Sequence, residues 1–160
     1  MTRCLVGVGS NLGDSRTLVR QAMHACSSLP RTRALGLSSL WGSAPVDAEG
    51  PDYVNAVVAL ESELDPWTLL RALQQLEARA GRQRAFHHAP RTLDLDLLWV
   101  DGVTLQHPEL TLPHPRMSQR AFVLLPLAEV APDLVDARQL ERVRGQRVWP
   151  MDNRDHGLVA

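Results

Sequence analysis

An α+β domain built on one antiparallel sheet is the fold class that this 160-residue sequence predicts. Three observations carry the expectation. Short runs rich in Val, Leu and Ala alternate with polar residues at the period of two that half-buried strands show. Two longer segments place apolar residues at helical spacing between start and stop signals. The elements follow one another as strand, helix, strand, strand, helix, strand, the ferredoxin-like βαββαβ order, with both helices expected on one face of the sheet.

The first expected strand is Arg3 to Val8, ending in the turn-rich run Gly9-Ser10-Asn11-Leu12-Gly13-Asp14. Asp14 or Ser15 then caps a helix in which Leu18, Ala22, Cys26 and Leu29 recur at helical spacing, and Pro30 closes it. Leu35 to Trp41 reads as the second strand, an irregular stretch follows from Gly42 to Asp52, and Tyr53 to Glu61 reads as the third. Alternation along the third puts Val54, Ala56, Val58 and Leu60 on one face, with Tyr53 and Asn55 on the other. Asp65 caps and Pro66 opens a second helix, with Leu69, Leu73, Leu76 and Ala80 as its buried stripe and Gly81 as its stop. Gln74 and Glu77, three apart, share one face of it.

A basic loop from Gly81 to Arg91 leads to the fourth strand, Thr92 to Val100. Asp101-Gly102 then signals a hairpin into an extra strand, Val103 to Leu105. Beyond it lie a Pro-His-Pro turn, a short helix around Ser118 to Val130 containing Pro126, and a polar tail. Residues 1–135 form the expected domain. Residues 136–160 are a C-terminal extension of the same domain, expected to be partly mobile.

Composition narrows the function classes. A hydrophobic fraction of 44% and a charged fraction of 22% fit an ordinary globular chain. A net charge of -1 supplies no field for a polyanion, so nucleic acid is not an expected partner. No stretch approaches the roughly 18 apolar residues of a membrane span. Cys4 and Cys26 lack metal-ligand spacing and read as buried thiols of a reducing cytoplasm.

The densest chemical signal is Thr92-Leu93-Asp94-Leu95-Asp96-Leu97. Period-two geometry puts both carboxylates on one face, roughly 7 Å apart, and the leucines on the other. Aspartate is depleted in strands, and two like charges so placed repel each other unless a cation intervenes. Hard oxygen ligands at that spacing suit Mg²⁺, which keeps several waters and shares phosphate oxygens. Arg82, Arg84 and Arg91 precede the pair, and Arg116 and Arg120 follow His114. Guanidinium groups beside a dicarboxylate point to phosphate chemistry. No phosphate-binding Gly-rich loop with its lysine is present, so Gly9-Ser10-Asn11-Leu12-Gly13 reads as structural.

Five ordered fragments carry a resemblance: Gly9-Ser10-Asn11-Leu12-Gly13; Pro51-Asp52-Tyr53-Val54-Asn55-Ala56; Glu77 with Gly81-Arg82-Gln83-Arg84; Pro90 to Leu97; and Leu112-Pro113-His114-Pro115-Arg116-Met117 with Arg120-Ala121-Phe122. Over about residues 5 to 135 the chain resembles the 6-hydroxymethyl-7,8-dihydropterin pyrophosphokinases of folate biosynthesis. The resemblance implies a ferredoxin-like fold and transfer of pyrophosphate from ATP to a reduced pterin, with release of AMP. It implies two Mg²⁺ ions held by Asp94 and Asp96, and catalytic roles for Arg82 and Arg91 on the phosphates. It further places ATP against Gln74, Glu77, Arg84, Arg91, Leu97, Thr111, His114 and Arg120. The pterin falls to Ser43, Ala44, Val46, Tyr53, Asn55, Asp94 and Phe122. A cytoplasmic monomer is the implied form.

The chain departs from that pattern in its loop before Pro90, which is one residue shorter and carries Phe86-His87-His88 where many members have a tryptophan. Glu109 and Pro115 stand where a basic and an aromatic residue meet ATP in the family. The rival reading is a noncatalytic ferredoxin-like small-molecule-binding module, which pterin-dependent AMP formation would exclude.

Overall fold

Burial on both faces singles out one strand as the centre of the sheet. β4 (Tyr53–Ser62) is buried continuously from Val54 to Leu60. The computed structural model describes residues 1–45, 50–81 and 93–151, which form a mixed α/β arrangement with antiparallel strand pairing. β1 (Thr2–Ser10) pairs with β4 on one side and with β5 (Asp94–Val100) on the other. The far edge of β4 takes β2 (Thr32–Leu37) along one half and β3 (Trp41–Ser43) along the other, and β8 (Val148–Pro150) pairs with β3. The resulting order is β5-β1-β4-β3-β8, with β2 also on β4.

Val54, Ala56, Val58 and Leu60 do share one face, as their alternation requires, and join a core with α1 (Ser15–Ser27) and α2 (Pro66–Gly81). Asp14 caps α1 by accepting the Thr17 N–H at 3.2 Å, and Asp65 caps α2 by accepting the Thr68 N–H at 3.0 Å. Hydrogen bonds from those threonines hold both carboxyls below the usual range. The opposite face of β4, through Val57 and Ala59, packs on α3 (Ala121–Val130). Leu124 and Leu127 of α3 are fully buried there, each contributing about 1.5–3 kcal/mol on burial.

Two sequence expectations are corrected. The single strand from Leu35 to Trp41 is two strands, because residues 38–40 oppose only Ala56 and Val57 between the Leu37↔Val58 and Trp41↔Asn55 pairs. One surplus residue breaks the ladder, and Ser38 bonds Val57 through backbone and hydroxyl at the break. The hairpin from β5 into Val103–Leu105 does not form. A tight primed turn needs positive φ at its first central residue, yet of Asp101 and Gly102 only the second, the glycine, has it, at 73°. The chain turns there, with Val103 N–H on Val100 O, and leaves the sheet. It then builds a separate ribbon of β6 (Leu105–His107) and β7 (Leu110–Leu112). Beyond residue 135, Asp136 caps α4 (Ala137–Arg142), and β8 follows.

Cys4 on β1 and Cys26 on α1 are free and buried, and burial pushes their thiols up to about 11 and about 12. The thiolate is the reactive form. A thiol-directed reagent at pH 8 is therefore expected to label neither cysteine in the native protein and both in denaturant; rapid native labelling of either would contradict this packing.

Candidate active site

Asp94 and Asp96 stand exposed on β5, while Leu93, Leu95 and Leu97 turn into the helix-side core. What lies in front of the carboxylates follows from register. Gly9 pairs with Asp94 on one side and Asn55 on the other; Gly7 pairs with Asp96 and Val57. Two glycines on one strand face keep the floor of a trough low, open at Gly9 and covered by the Leu98 side chain at Gly7. A Cβ at Gly9 would lie 3.5 Å from Asn55 Oδ1, and one at Gly7 would lie 3.4 Å from Leu98 Cδ1. α3 covers Leu5, Val57, Ala59 and Leu98 of this face and stops short of the carboxylates.

The far wall is built from β4 and β3. Asn55, 4% exposed, donates its amide to Ser43 Oγ at 2.9 Å and to Trp41 O at 3.2 Å. Its planar side chain is thereby fixed in orientation before any ligand arrives. Tyr53 lies opposite Ser43, and Ala44 follows, its N–H on Arg147 O. Phe122, half-buried at the start of α3, carries the Arg120 guanidinium 5.4 Å above its ring.

β5 is also the edge of the sheet, and a second cleft of about 200 Å³ opens beside it. Leu70 of α2, Leu97, Glu109, Thr111, His114 and Pro115 line it together with Asp96. Small-molecule pockets usually run to about 300–1,000 Å³, so this one fits part of a ligand rather than the whole. Glu77 accepts the Leu95 N–H at 2.8 Å, tying α2 to the edge strand. Gln74, exposed on α2, accepts from Arg71, which also pairs with Glu109 at 3.0 Å. His114 donates its N–H to Leu98 O at 2.7 Å. Burial lowers its imidazole pKa, Asp96 opposes that, and Arg120 and Arg116 reinforce it.

Asp96 thus belongs to both spaces. Among the described residues no cluster of three His, Cys, Asp or Glu side chains gathers into a complete metal cage. Two exposed carboxylates on one strand face fit instead a hard divalent cation that fills its remaining positions with water and phosphate oxygen. Of the residues expected from sequence, Ser43, Ala44, Tyr53, Asn55 and Asp94 fall around the trough, Phe122 lies under Arg120 against the α3-side core, and Gln74, Glu77, Leu97, Thr111, His114 and Arg120 fall around the edge cleft or its rim. Val46, Arg82, Arg84 and Arg91, with Phe86, His87 and His88, lie outside the described residues. Sequence reasoning missed Gly7 and Arg71. It also placed Gly9 in a turn, whereas Gly9 is inside β1. Glycines two apart in an otherwise Val- and Leu-rich strand were the available signal, since glycine weakens a strand unless something must approach its backbone.

Comparison with known proteins bears on what the two spaces hold. The 7,8-dihydro-6-hydroxymethylpterin-pyrophosphokinase family profile matches residues 5–132. A Pseudomonas aeruginosa 2-amino-4-hydroxy-6-hydroxymethyldihydropteridine pyrophosphokinase is 46% identical over 133 residues, 82% of this chain and 82% of that protein. A Haemophilus influenzae protein of the same name is 41% identical over 136 residues, 84% of this chain and 85% of its own length. A solved Plasmodium falciparum HPPK-DHPS chain shares the fold with a TM-score of 0.64 at 12% identity, covering 90% of this chain and 45% of that one. A profile that runs through both carboxylates, the glycine floor and the asparagine wall settles the kinship: the chain belongs to the 7,8-dihydro-6-hydroxymethylpterin-pyrophosphokinase family.

Proposed function

We propose that the chain transfers the terminal pyrophosphate of ATP to the hydroxymethyl group of 6-hydroxymethyl-7,8-dihydropterin, a step of folate biosynthesis. One observation carries the reading: Asp96 stands at the junction of a glycine-floored trough and an edge cleft, so one carboxylate faces two ligands. The order β5-β1-β4-β3 supports the ferredoxin-like assignment, and we take the active form to be a cytoplasmic monomer.

In this reading the trough holds the pterin. Asn55, held by Ser43 and Trp41, presents its amide to the ring edge, and Tyr53 and Phe122 stack on the ring. The edge cleft holds the nucleoside end of ATP, which directs the phosphates toward Asp94 and Asp96. The hydroxymethyl oxygen attacks the β-phosphorus, the bond to the α-phosphate oxygen breaks, and AMP departs with the electron pair. We assign the hydroxyl proton to Asp96. Mg²⁺ ions held by Asp94 and Asp96 would neutralise the triphosphate and orient it for in-line transfer. On the family resemblance, Arg82 and Arg91 are assigned to the phosphates and Arg84 to the nucleotide.

Purified protein incubated with ATP, Mg²⁺ and the reduced pterin is expected to form AMP only when the pterin is present. ADP as product, or no pterin dependence, would overturn the reading. Arg82→Ala is expected to lower kcat far more than it raises either KM; a large KM change at unchanged kcat would place that arginine in ground-state binding instead.

A further inference from the structure

We propose that β8 braces the pterin wall from behind, with Trp149 as the positioning residue through which it acts. The inference rests on the trough being the pterin site. β3, which carries Ser43 into that wall, has three residues, and a strand so short depends on its neighbours to stay in place. Trp41, Gly42 and Ser43 pair with β4 on one edge and with Pro150, Trp149 and Val148 on the other. Beyond the ladder, Ala44 donates to Arg147 O at 3.3 Å, and Met151 donates to Leu40 O at 3.1 Å. β8 therefore grips the wall at both of its ends.

The pleat decides what each side chain does. Ser43 receives the Asn55 amide and shares the trough face, and Val148 opposite it packs with the α3-side core. Gly42 and Trp149, one residue along, turn to the opposite face, where Met151 joins the helix-side core. A Cβ at Gly42 would collide with the Trp149 indole ring. The ring therefore lies directly against the back of the wall, at the one position where a glycine admits it. Two strands, β4 and β1, separate this contact from β5, so the brace reaches the pterin and not the carboxylates. The family profile ends at residue 132, and the brace lies wholly beyond it.

The test compares initial rates of AMP formation by the full chain and its Trp149→Ala and Trp149→Phe variants, with pterin and ATP varied separately. Trp149→Ala is expected to raise the pterin KM about tenfold, with kcat within about twofold and an unchanged ATP KM. Trp149→Phe, which keeps a flat ring, is expected to restore most of the pterin KM. A purely structural role would lower the melting temperature and the active fraction without separating the two KM values. A folded Trp149→Ala variant with wild-type pterin KM, or with both KM values raised alike, overturns the proposal. Should that variant not fold, Trp149→Phe and Gly42→Ala, which displaces the ring, decide by the same split.

If the wild-type chain makes no pterin-dependent AMP, the functional reading fails by itself. Calorimetric titration of the reduced pterin in the presence of Mg²⁺ and α,β-methylene-ATP then judges the brace. Weaker binding to Trp149→Ala supports it; equal binding to both, or none to wild type, removes it.

Discussion

Asp96→Ala is expected to lower kcat by about three orders of magnitude, on the scale of the several kcal/mol that charge neutralisation by a bound metal supplies. The melting temperature should not fall. Asp96 is exposed on β5 and contributes nothing to either core, whereas its neighbours Leu95 and Leu97 hold the strand down. Aspartate is a poor strand residue, and its charge repels that of Asp94 two positions away. The fold thus carries this pair at a cost, which is the expected mark of residues kept for chemistry. Asp94→Ala should behave alike in kcat. Because Asp96 also lines the edge cleft, its loss should weaken Mg²⁺-dependent ATP binding as well. The check is steady-state AMP formation at saturating substrates, paired with thermal unfolding. A folded Asp96→Ala enzyme working at near wild-type rate would dissolve the metal-site reading.

That pair was legible because a strand of alternating Asp and Leu has one reading at every level. Period two fixes the faces, hydrophobicity fixes which face is buried, and the charges expose the other. The helix starts were legible for a similar reason, since Asp14 and Asp65 act on backbone groups three residues away. Features that depend on pairing between distant segments were not. Whether Leu35 to Trp41 is one strand or two is decided by its count against β4, not by its own residues. Asp101-Gly102 turns the chain as its composition suggests, but Asp101 stays out of the left-handed region and the hairpin is lost. Val148-Trp149-Pro150 is too short for any period to show, and it becomes a strand only because β3 offers an edge. The glycine floor had the weakest signal, because what matters there is an absent side chain. Its meaning depends on Asp94 and Asn55 arriving on either side. Arg71 was hidden likewise, its link to Glu109 crossing from α2 to the β6–β7 ribbon.

Gly9→Val tests that floor directly, and it is expected to separate stability from activity. The backbone at Gly9 lies outside the left-handed region, unlike that at Gly13, Gly50 and Gly102, so a side chain adds no backbone strain. Its Cβ would make ordinary contacts, 3.5 Å from Asn55 Oδ1 and 3.9 Å from Val54 O. A β-branched residue suits a strand, and replacing a strand glycine recovers about 0.5–1 kcal/mol of chain entropy. The melting temperature is therefore expected to hold or rise. The γ-carbons, however, enter the space between Asp94 and Asn55 where the proposed function puts the planar ring. The value of kcat/KM for the pterin should fall by at least about a hundredfold, with ATP binding measured by titration little changed. Gly9→Ala should lie between the two, because a single methyl occupies less of the trough. If Gly9→Val instead keeps wild-type kcat/KM, no ring lies on that floor and the pterin must be sought elsewhere. If it unfolds, the contacts drawn around Gly9 are wrong. Only loss of pterin turnover in a protein at least as stable as wild type fits a floor left bare for a ligand.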